Sequence, residues 1–371
     1  MRHYRLGLGL MTLLSACLSG AQVVVRLDPS GSGEGNAARV RAVAGAGQTV
    51  LIDAQEDCPW DTLSISKARG LTLKMAPGSV GRLVYKGAEG VAVRLVDSPD
   101  ARVSLRIDGT EASTPPKFAF GTDALVSLLR CDRATVEDCQ LVGAPLAAIA
   151  VRDSRDAKVL NNRARLLRKR GIIVRGGSGA LVKGNSLIDG ESAKDHLVDL
   201  HAHREGRVED NSVSDVLGIA YQDTEGESNV WTGNRATDCA GGFFKSDGTQ
   251  NPTFTDGIAD NVGGCILELK GQSGQSSGRV EFSRNIVRGV SASLYGKGVV
   301  KQGERFRLVR TMGLAPGSTF VMKGNRFERI TNQAWLLEGF DPSVTQEISG
   351  NEFGNARLIE PGRAMTLGAK R

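Results

Sequence analysis

An asparagine returns through most of this chain with nearly the same neighbours. Asn162, Asn185, Asn211, Asn234, Asn261, Asn285, Asn325 and Asn351 stand 23, 26, 23, 27, 24, 40 and 26 residues apart. Most sit in a short polar stretch, and a branched apolar or aromatic residue often follows two positions later: Leu187, Val213, Val287, Phe327, Phe353. A period in this range means a stacked repeat, in which each unit buries its apolar face only against its neighbours.

Local pattern makes the repeat β. Apolar runs such as Ile172–Val174, Ala180–Val182 and Cys265–Leu269 last three to five residues and are cut by Gly, Asn, Asp or Ser. That is strand punctuation, and no run of ten or more residues at helical spacing occurs. The 47 glycines suit a chain that turns every few residues. About 23 residues per coil accommodate three short strands and three turns, with successive coils about 4.8 Å apart. Each asparagine then lies over the next. Its amide donates to one neighbour and accepts from the other, forming a buried ladder.

The stretches VKGNSL, VEDNSV, MKGNRF and EISGNEF resemble the right-handed parallel β-helix, pectate-lyase-like superfamily over roughly residues 35–355. The resemblance implies an all-β, single-stranded right-handed solenoid of 12–13 coils. It includes no family-specific catalytic motif, so function must be argued from a site.

Residues 1–21 read as an export signal, with Arg2, His3 and Arg5 ahead of the apolar run Leu6–Leu14. Two cleavage readings stay open: a lipobox at Leu14-Ser15-Ala16-Cys17, acylated at Cys17, or a small-residue site at Ser19-Gly20-Ala21. Both place the protein outside the cytoplasm, as an envelope lipoprotein or a secreted protein, with membrane contact only through such an anchor. The β-helix domain is expected over 22–355 and a cap or tail over 356–371. Asn36 is expected to cap a short helix over Ala37–Ala44 that covers the open solenoid end. Loops are expected at Glu111–Pro116 and, inside the 40-residue gap, near Lys301–Pro316. Cys139 takes the ladder position ahead of Asn162. Without Cys17, Cys58, Cys131, Cys139, Cys239 and Cys265 remain; the pairings Cys131/Cys139 and Cys239/Cys265 and buried free thiols are both open.

Removal of Arg2 and Arg5 leaves 45 basic against 41 acidic residues. Nine bases between Arg152 and Arg175 (Arg152, Arg155, Lys158, Arg163, Arg165, Arg168, Lys169, Arg170, Arg175) face only Asp153 and Asp156, a stripe suited to a polyanion or a solvated turn face. No nucleic-acid recognition motif accompanies it.

Aligned on the ladder, one strand of each coil yields an outward column: Arg175, Asp199 with His201 and His203, Gln222 with Asp223, Lys245 with Asp247, and Glu268 with Lys270. Ile219, Tyr221, Cys265 and Leu267 are expected inside. A one-residue slip would reverse these faces. Three of the four histidines, His196, His201 and His203, fall within eight residues. The column suits an extended acidic polysaccharide. β-Elimination from a uronate, or its C5 epimerisation, needs the carboxylate neutralised, a base near C5 and an acid for the leaving oxygen. His201, Lys245, Lys270 and Asp199 are the catalytic candidates. Arg175, Gln222, Asp223, Asp247 and His203 would bind substrate, and Glu268 with Asp223 would hold Ca²⁺. Asp199-Leu200-His201 is similar to the Asp-Pro-His element of β-helix mannuronan epimerases, with the proline absent. The Lys and Arg placement resembles β-helix polysaccharide lyases. The paired aspartates of polygalacturonase-type hydrolases are not recognisable, which ranks hydrolysis lower. The other reading is a non-catalytic glycan-binding or adhesin-like surface protein. A monomer is expected.

Overall fold

The computed structural model describes residues 21–113, 123–271, 275–290, 307–329, 335–338 and 343–354. The expected export signal with Cys17 and the tail 356–371 lie outside them. The described chain winds through three parallel sheets. Sheet 1 has 13 strands and begins at Gln22–Arg26. Sheet 2 has 12, from Cys58–Trp60, and sheet 3 has 11, from Leu63–Ser66. Each coil passes from sheet 1 to 2 to 3, and every pairing is to the coils before and after. The expected coil number holds.

The asparagine ladder occupies the corner between sheets 1 and 2. The Asn211 Oδ1 accepts from the Asn185 backbone N–H at 2.9 Å and from its Nδ2 at 2.8 Å, while Asn185 Nδ2 also donates to the Val159 carbonyl at 2.9 Å. The same set recurs at Asn162 and Asn325. A tight corner cannot pair its own backbone, and buried amides left unpaired are costly, so one side chain per coil supplies the partner. Cys139 begins the ladder as expected: its N–H donates to Asn162 Oδ1, and its sulfur accepts from the Leu105 N–H.

One rung differs from expectation. Asn261 lies off the ladder, at φ 50°, bonded to Asp238. Gly257 holds the rung, and its N–H donates to Asn285 Oδ1 at 2.8 Å. A side chain there would strike the Phe243 ring and Asn285 Oδ1, each 2.9 Å from an added Cβ. The real spacing across this coil is thus 23 then 28 residues, and Asn261 mimicked the period by sitting four residues late.

Other expectations also shift. The helix runs Gly33–Arg41, with Ser32 rather than Asn36 as its N-cap. Asn36 is buried and binds Asp28 and the Pro59 carbonyl, stapling the helix to the first coils. Arg307–Met312 is a regular strand paired with Cys265–Lys270, so the extra residues of the long gap fall at 291–306, outside the described residues. Of Glu111–Pro116, Glu111 lies in a turn with Thr110, Ala112 and Ser113 are irregular, and the rest lie outside the described residues. Cys58, Cys131, Cys139 and Cys239 are buried free thiols, which excludes both proposed disulfides. Cys131 follows a sheet 3 strand, whereas Cys139 holds the sheet 1–2 corner and bonds Leu105 across coils. The nine bases from Arg152 to Arg175 span one whole coil. Arg152 and Arg175 end sheet 3 strands, Lys158 is on sheet 1, Arg163 and Arg165 on sheet 2, and Arg170 is buried. They point around the solenoid and form no stripe.

Asp223 was expected outside and lies in the core. Leu200 and Asp223 are register partners, as are Asp199 and Gln222, so Asp223 shares the inward face with Leu200. Its Oδ1 accepts from Asn229 Nδ2 at 3.0 Å and its Oδ2 from Trp231 Nε1 at 3.2 Å. Burial outweighs these bonds and pushes its pKa up to about 7.

Removing one rung tests the ladder. Asn211→Ala strands the Asn185 N–H and the Val182 carbonyl, and should lower stability by about 3 kcal/mol in urea denaturation. Asn261→Gly, off the ladder and already at positive φ, should stay within about 0.5 kcal/mol. Equal losses would contradict the assignment. Asp223 gives a pH test. The folded state keeps its proton between about pH 4 and 7, where the unfolded chain has lost it, so its contribution is full below that window and lost as pH rises through 7. The stability advantage of the wild type over Asp223→Asn should shrink by about 4 kcal/mol between pH 4 and pH 8. A constant difference would contradict a buried protonated carboxyl.

Candidate functional site

Each full strand of sheet 3 opens with two consecutive residues that turn into the core at the corner, such as Leu197-Val198, Ala220-Tyr221, Phe243-Phe244 and Ile266-Leu267. Strict alternation applies only afterwards. The residue before each pair is therefore outside. His196, Ile219, Gly242 and Cys265 align in this first outer column. Ile219 and Cys265, expected inside, belong here.

The second outer column is Ile173, Asp199, Gln222, Lys245, Glu268 and Arg310. The third is Arg175, His201, Thr224, Asp247, Lys270 and Met312. The register thus brings together Arg175, Asp199, His201, Gln222, Lys245, Asp247, Glu268 and Lys270, as expected. Two candidates are excluded. Asp223 faces the core, and Thr224 holds its outward place. His203 is fully buried at the next corner, where Nδ1 lies 2.7 Å from the Gly176 carbonyl and Nε2 accepts from the Ala180 N–H at 3.1 Å. His203 therefore carries its proton on Nδ1 and acts as a backbone-satisfying corner residue. Because Asp223 and Glu268 are on opposite faces of the sheet, they cannot share one Ca²⁺. Among the described residues no other cluster of three or more His, Cys, Asp or Glu could hold a metal.

The centre of the face is Asp199, 1% exposed although it points away from the core. Its Oδ2 accepts from Arg170 Nη1 at 3.1 Å. Arg170 Nε donates to Asp195 Oδ1 at 3.1 Å, and Asp195 Oδ2 accepts from Ser192 Oγ at 2.6 Å. Burial opposes ionisation of Asp195, but Ser192 and Arg170 hold it below the usual carboxylate range. At Asp199 burial wins over Arg170, Lys245 and Arg175, and its pKa rises to about 6. Burial, then Lys245 and Arg170, push His196 down to about 3, so its imidazole is neutral. His201 is also lowered, by burial and then Arg175; its Nε2 is 3.8 Å from Glu225.

Buried polar atoms normally find partners, and each exception needs a reason. Three exceptions gather here: His196 Nδ1, Asp199 Oδ1 and Gln222 Oε1. Beside them is the Lys245 ammonium, 19% exposed, 3.9 Å from both Asp247 and Glu268 and hydrogen-bonded to neither. Lys270 does reach Asp247, at 3.1 Å. Buried acceptors with unfilled hydrogen-bonding capacity thus lie beside a loosely held cation.

His196, Arg170, Asp195 and Ser192 were not among the sequence-derived candidates. Period-2 alternation puts His196 inside, because it does not show the paired buried residues at the strand start. Arg170 read as one more base in a run. Its carboxylate partners lie 25 and 29 residues later, and only the coil register brings them to it.

A model of the right handed beta helix region matches residues 117–309, more than half of the chain. No curated protein sequence gives a match. Among solved structures, the polygalacturonase from Erwinia carotovora ssp. carotovora aligns at TM-score 0.63 and 10% identity, over 89% of this chain and 96% of that one. The catalytic domain of GH87 alpha-1,3-glucanase in complex with nigerose aligns at 0.59 and 12%, over 89% and 69%. PfbA, a surface adhesin of Streptococcus pneumoniae, aligns at 0.54 and 9%, over 92% and 94%. At such identities the likeness establishes architecture and leaves chemistry to the residues. The winding, the corner ladder and the family match agree: the chain belongs to the right-handed β-helix region family.

Proposed function

We propose that the protein is a carbohydrate-active enzyme acting on a uronate-containing polysaccharide at the outer face of sheet 3. The observation that carries this reading is the convergence of His196 Nδ1, Asp199 Oδ1 and Gln222 Oε1, all buried and unpartnered, beside the loosely held Lys245 ammonium. A uronate ring offers what these groups lack: hydroxyls for the acceptors and a carboxylate for the ammonium. Strands about 4.8 Å apart also match the rise of an extended sugar chain along the solenoid axis. The solved neighbours include a polygalacturonase and a glucanase bound to nigerose, which supports a glycan as the ligand class.

The reaction is C5 proton abstraction. Lys245 neutralises the uronate carboxylate, making C5–H more acidic. His201, neutral at pH 7, takes that proton. In elimination the electron pair forms the C4=C5 bond, the C4–O bond breaks, and Asp199 gives its proton to the departing oxygen. In epimerisation C5 is reprotonated from the other face and no bond to oxygen breaks. The signal-like composition of residues 1–21 supports action outside the cytoplasm.

A second reading rests on Asp199 itself. A carboxyl still protonated near pH 6 is the acid that glycoside hydrolysis needs. Incubation with a panel of pectins, alginates, glycosaminoglycans and neutral glucans separates the cases. Elimination yields unsaturated ends that absorb in the ultraviolet, hydrolysis yields reducing ends without absorbance, and a binding protein retards the polymer in an affinity gel with no product. The expected outcome is ultraviolet-absorbing product, or C5-inverted product without cleavage. Turnover should fall as pH rises above about 6, where Asp199 loses its proton. Lys245→Ala and His201→Ala should each lower turnover about 100-fold or more. Full activity in both variants would refute the assignment.

A further inference from the structure

Asp199 is held asymmetrically. Oδ2 accepts an N–H from Arg170 at 3.1 Å, and Oδ1 is buried with no partner. A guanidinium donates only, so the oxygen it faces is used as an acceptor. When Asp199 is neutral, its hydrogen therefore belongs on Oδ1. Gln222, whose Oε1 is likewise buried without a partner, is adjacent to Asp199 in register. The guanidinium is fixed in turn. Its Nε is bound to Asp195, whose other oxygen is held by Ser192 at 2.6 Å. Both partners come from the turn just before the Asp199 strand, and the Arg170 side chain is only 9% exposed. This chain of contacts is longer than an ion pair requires. A buried pair on its own contributes little net stability.

We propose that Arg170, held by Asp195 and Ser192, is a positioning residue that fixes the transferable proton of Asp199 on Oδ1, facing the ligand. The inference rests on the functional reading above only for the use made of that proton. The charged groups bearing on Asp199 are Arg170 and Arg175 from one neighbouring strand, Lys245 two strands away on the other side, Asp195 from the preceding turn, and Asp223 from the inner face of the next strand. Of these, Arg170 alone hydrogen-bonds it.

The test reads Asp199 directly, in the full-length protein and without substrate. Infrared difference titration isolates its protonated carbonyl band as the one missing in Asp199→Asn. In Arg170→Gln the midpoint should rise by about one pH unit or more, because a stabilising cation is gone. In Arg170→Lys it should return towards wild type; in Asp195→Asn the midpoint should not rise, because Asp195 is itself a like charge that raises Asp199, but the band position should shift as Arg170 loses its hold. The band position should also shift in Arg170→Gln, reporting a changed hydrogen bond at Oδ2. An unchanged midpoint and band in Arg170→Gln would overturn the proposal. Should Arg170→Gln fail to fold, an unchanged band in Asp195→Asn would overturn it equally. On any polymer the wild type turns over, kcat should fall about tenfold or more with KM within about threefold, and the falling limb of the pH profile should move upward with the infrared midpoint. If the band responds while wild type turns over no polysaccharide, the positioning role stands and the enzymatic reading fails.

Discussion

The structure depends on register. Every backbone group at a solenoid corner must find a partner in the coil above or below, and a full rung such as Asn211 supplies it with two acceptances and two donations. A slip of one residue would break the ladder and turn every sheet 3 side chain to the opposite face. The same constraint that satisfies the corner therefore puts Val198 and Leu200 inside and Asp199 outside. It also stacks Asp199, Gln222, Lys245 and Glu268 on four successive strands.

That logic explains what was legible in the sequence. The period and the short β runs fixed the fold, because ladder residues repeat for a reason local to each coil. The outward positions of Lys245, Asp247, Glu268 and Lys270 followed from alternation in the second half of the strand. Alternation failed where geometry changes. At the strand start the corner directs two adjacent residues inward, which hid His196 and misplaced Ile219 and Cys265. At the strand end Asp223 continues the inward series, although an acid there reads as a solvent residue. Asn261 shows the opposite error: a turn asparagine at the wrong offset kept the period while Gly257, without a side chain, held the rung. The Arg170 network was out of reach, since nothing local pairs an arginine with carboxylates a full coil away.

Two buried carboxyls now sit back to back on adjacent strands with different roles. Asp223 is sealed by Asn229 and Trp231 and belongs to the core. Asp199 keeps one oxygen open among groups that also lack partners. Burial raises both, so a shifted titration alone does not mark a site. The unfilled hydrogen-bonding capacity distinguishes them. On the two strands of Lys245 and Lys270 the charges alternate with Asp247 and Glu268, while Arg175 and Arg310 add positive charge at either end of the face.

The most direct measurement is a crystal structure of the full chain soaked with short oligouronates, using Asp199→Asn to prevent turnover. The account predicts a sugar carboxylate within hydrogen-bond distance of Lys245 Nζ and hydroxyls on Gln222 Oε1 and His196 Nδ1, with the chain running along the solenoid axis. An oligosaccharide bound elsewhere, with ordered water filling these three positions, would contradict it.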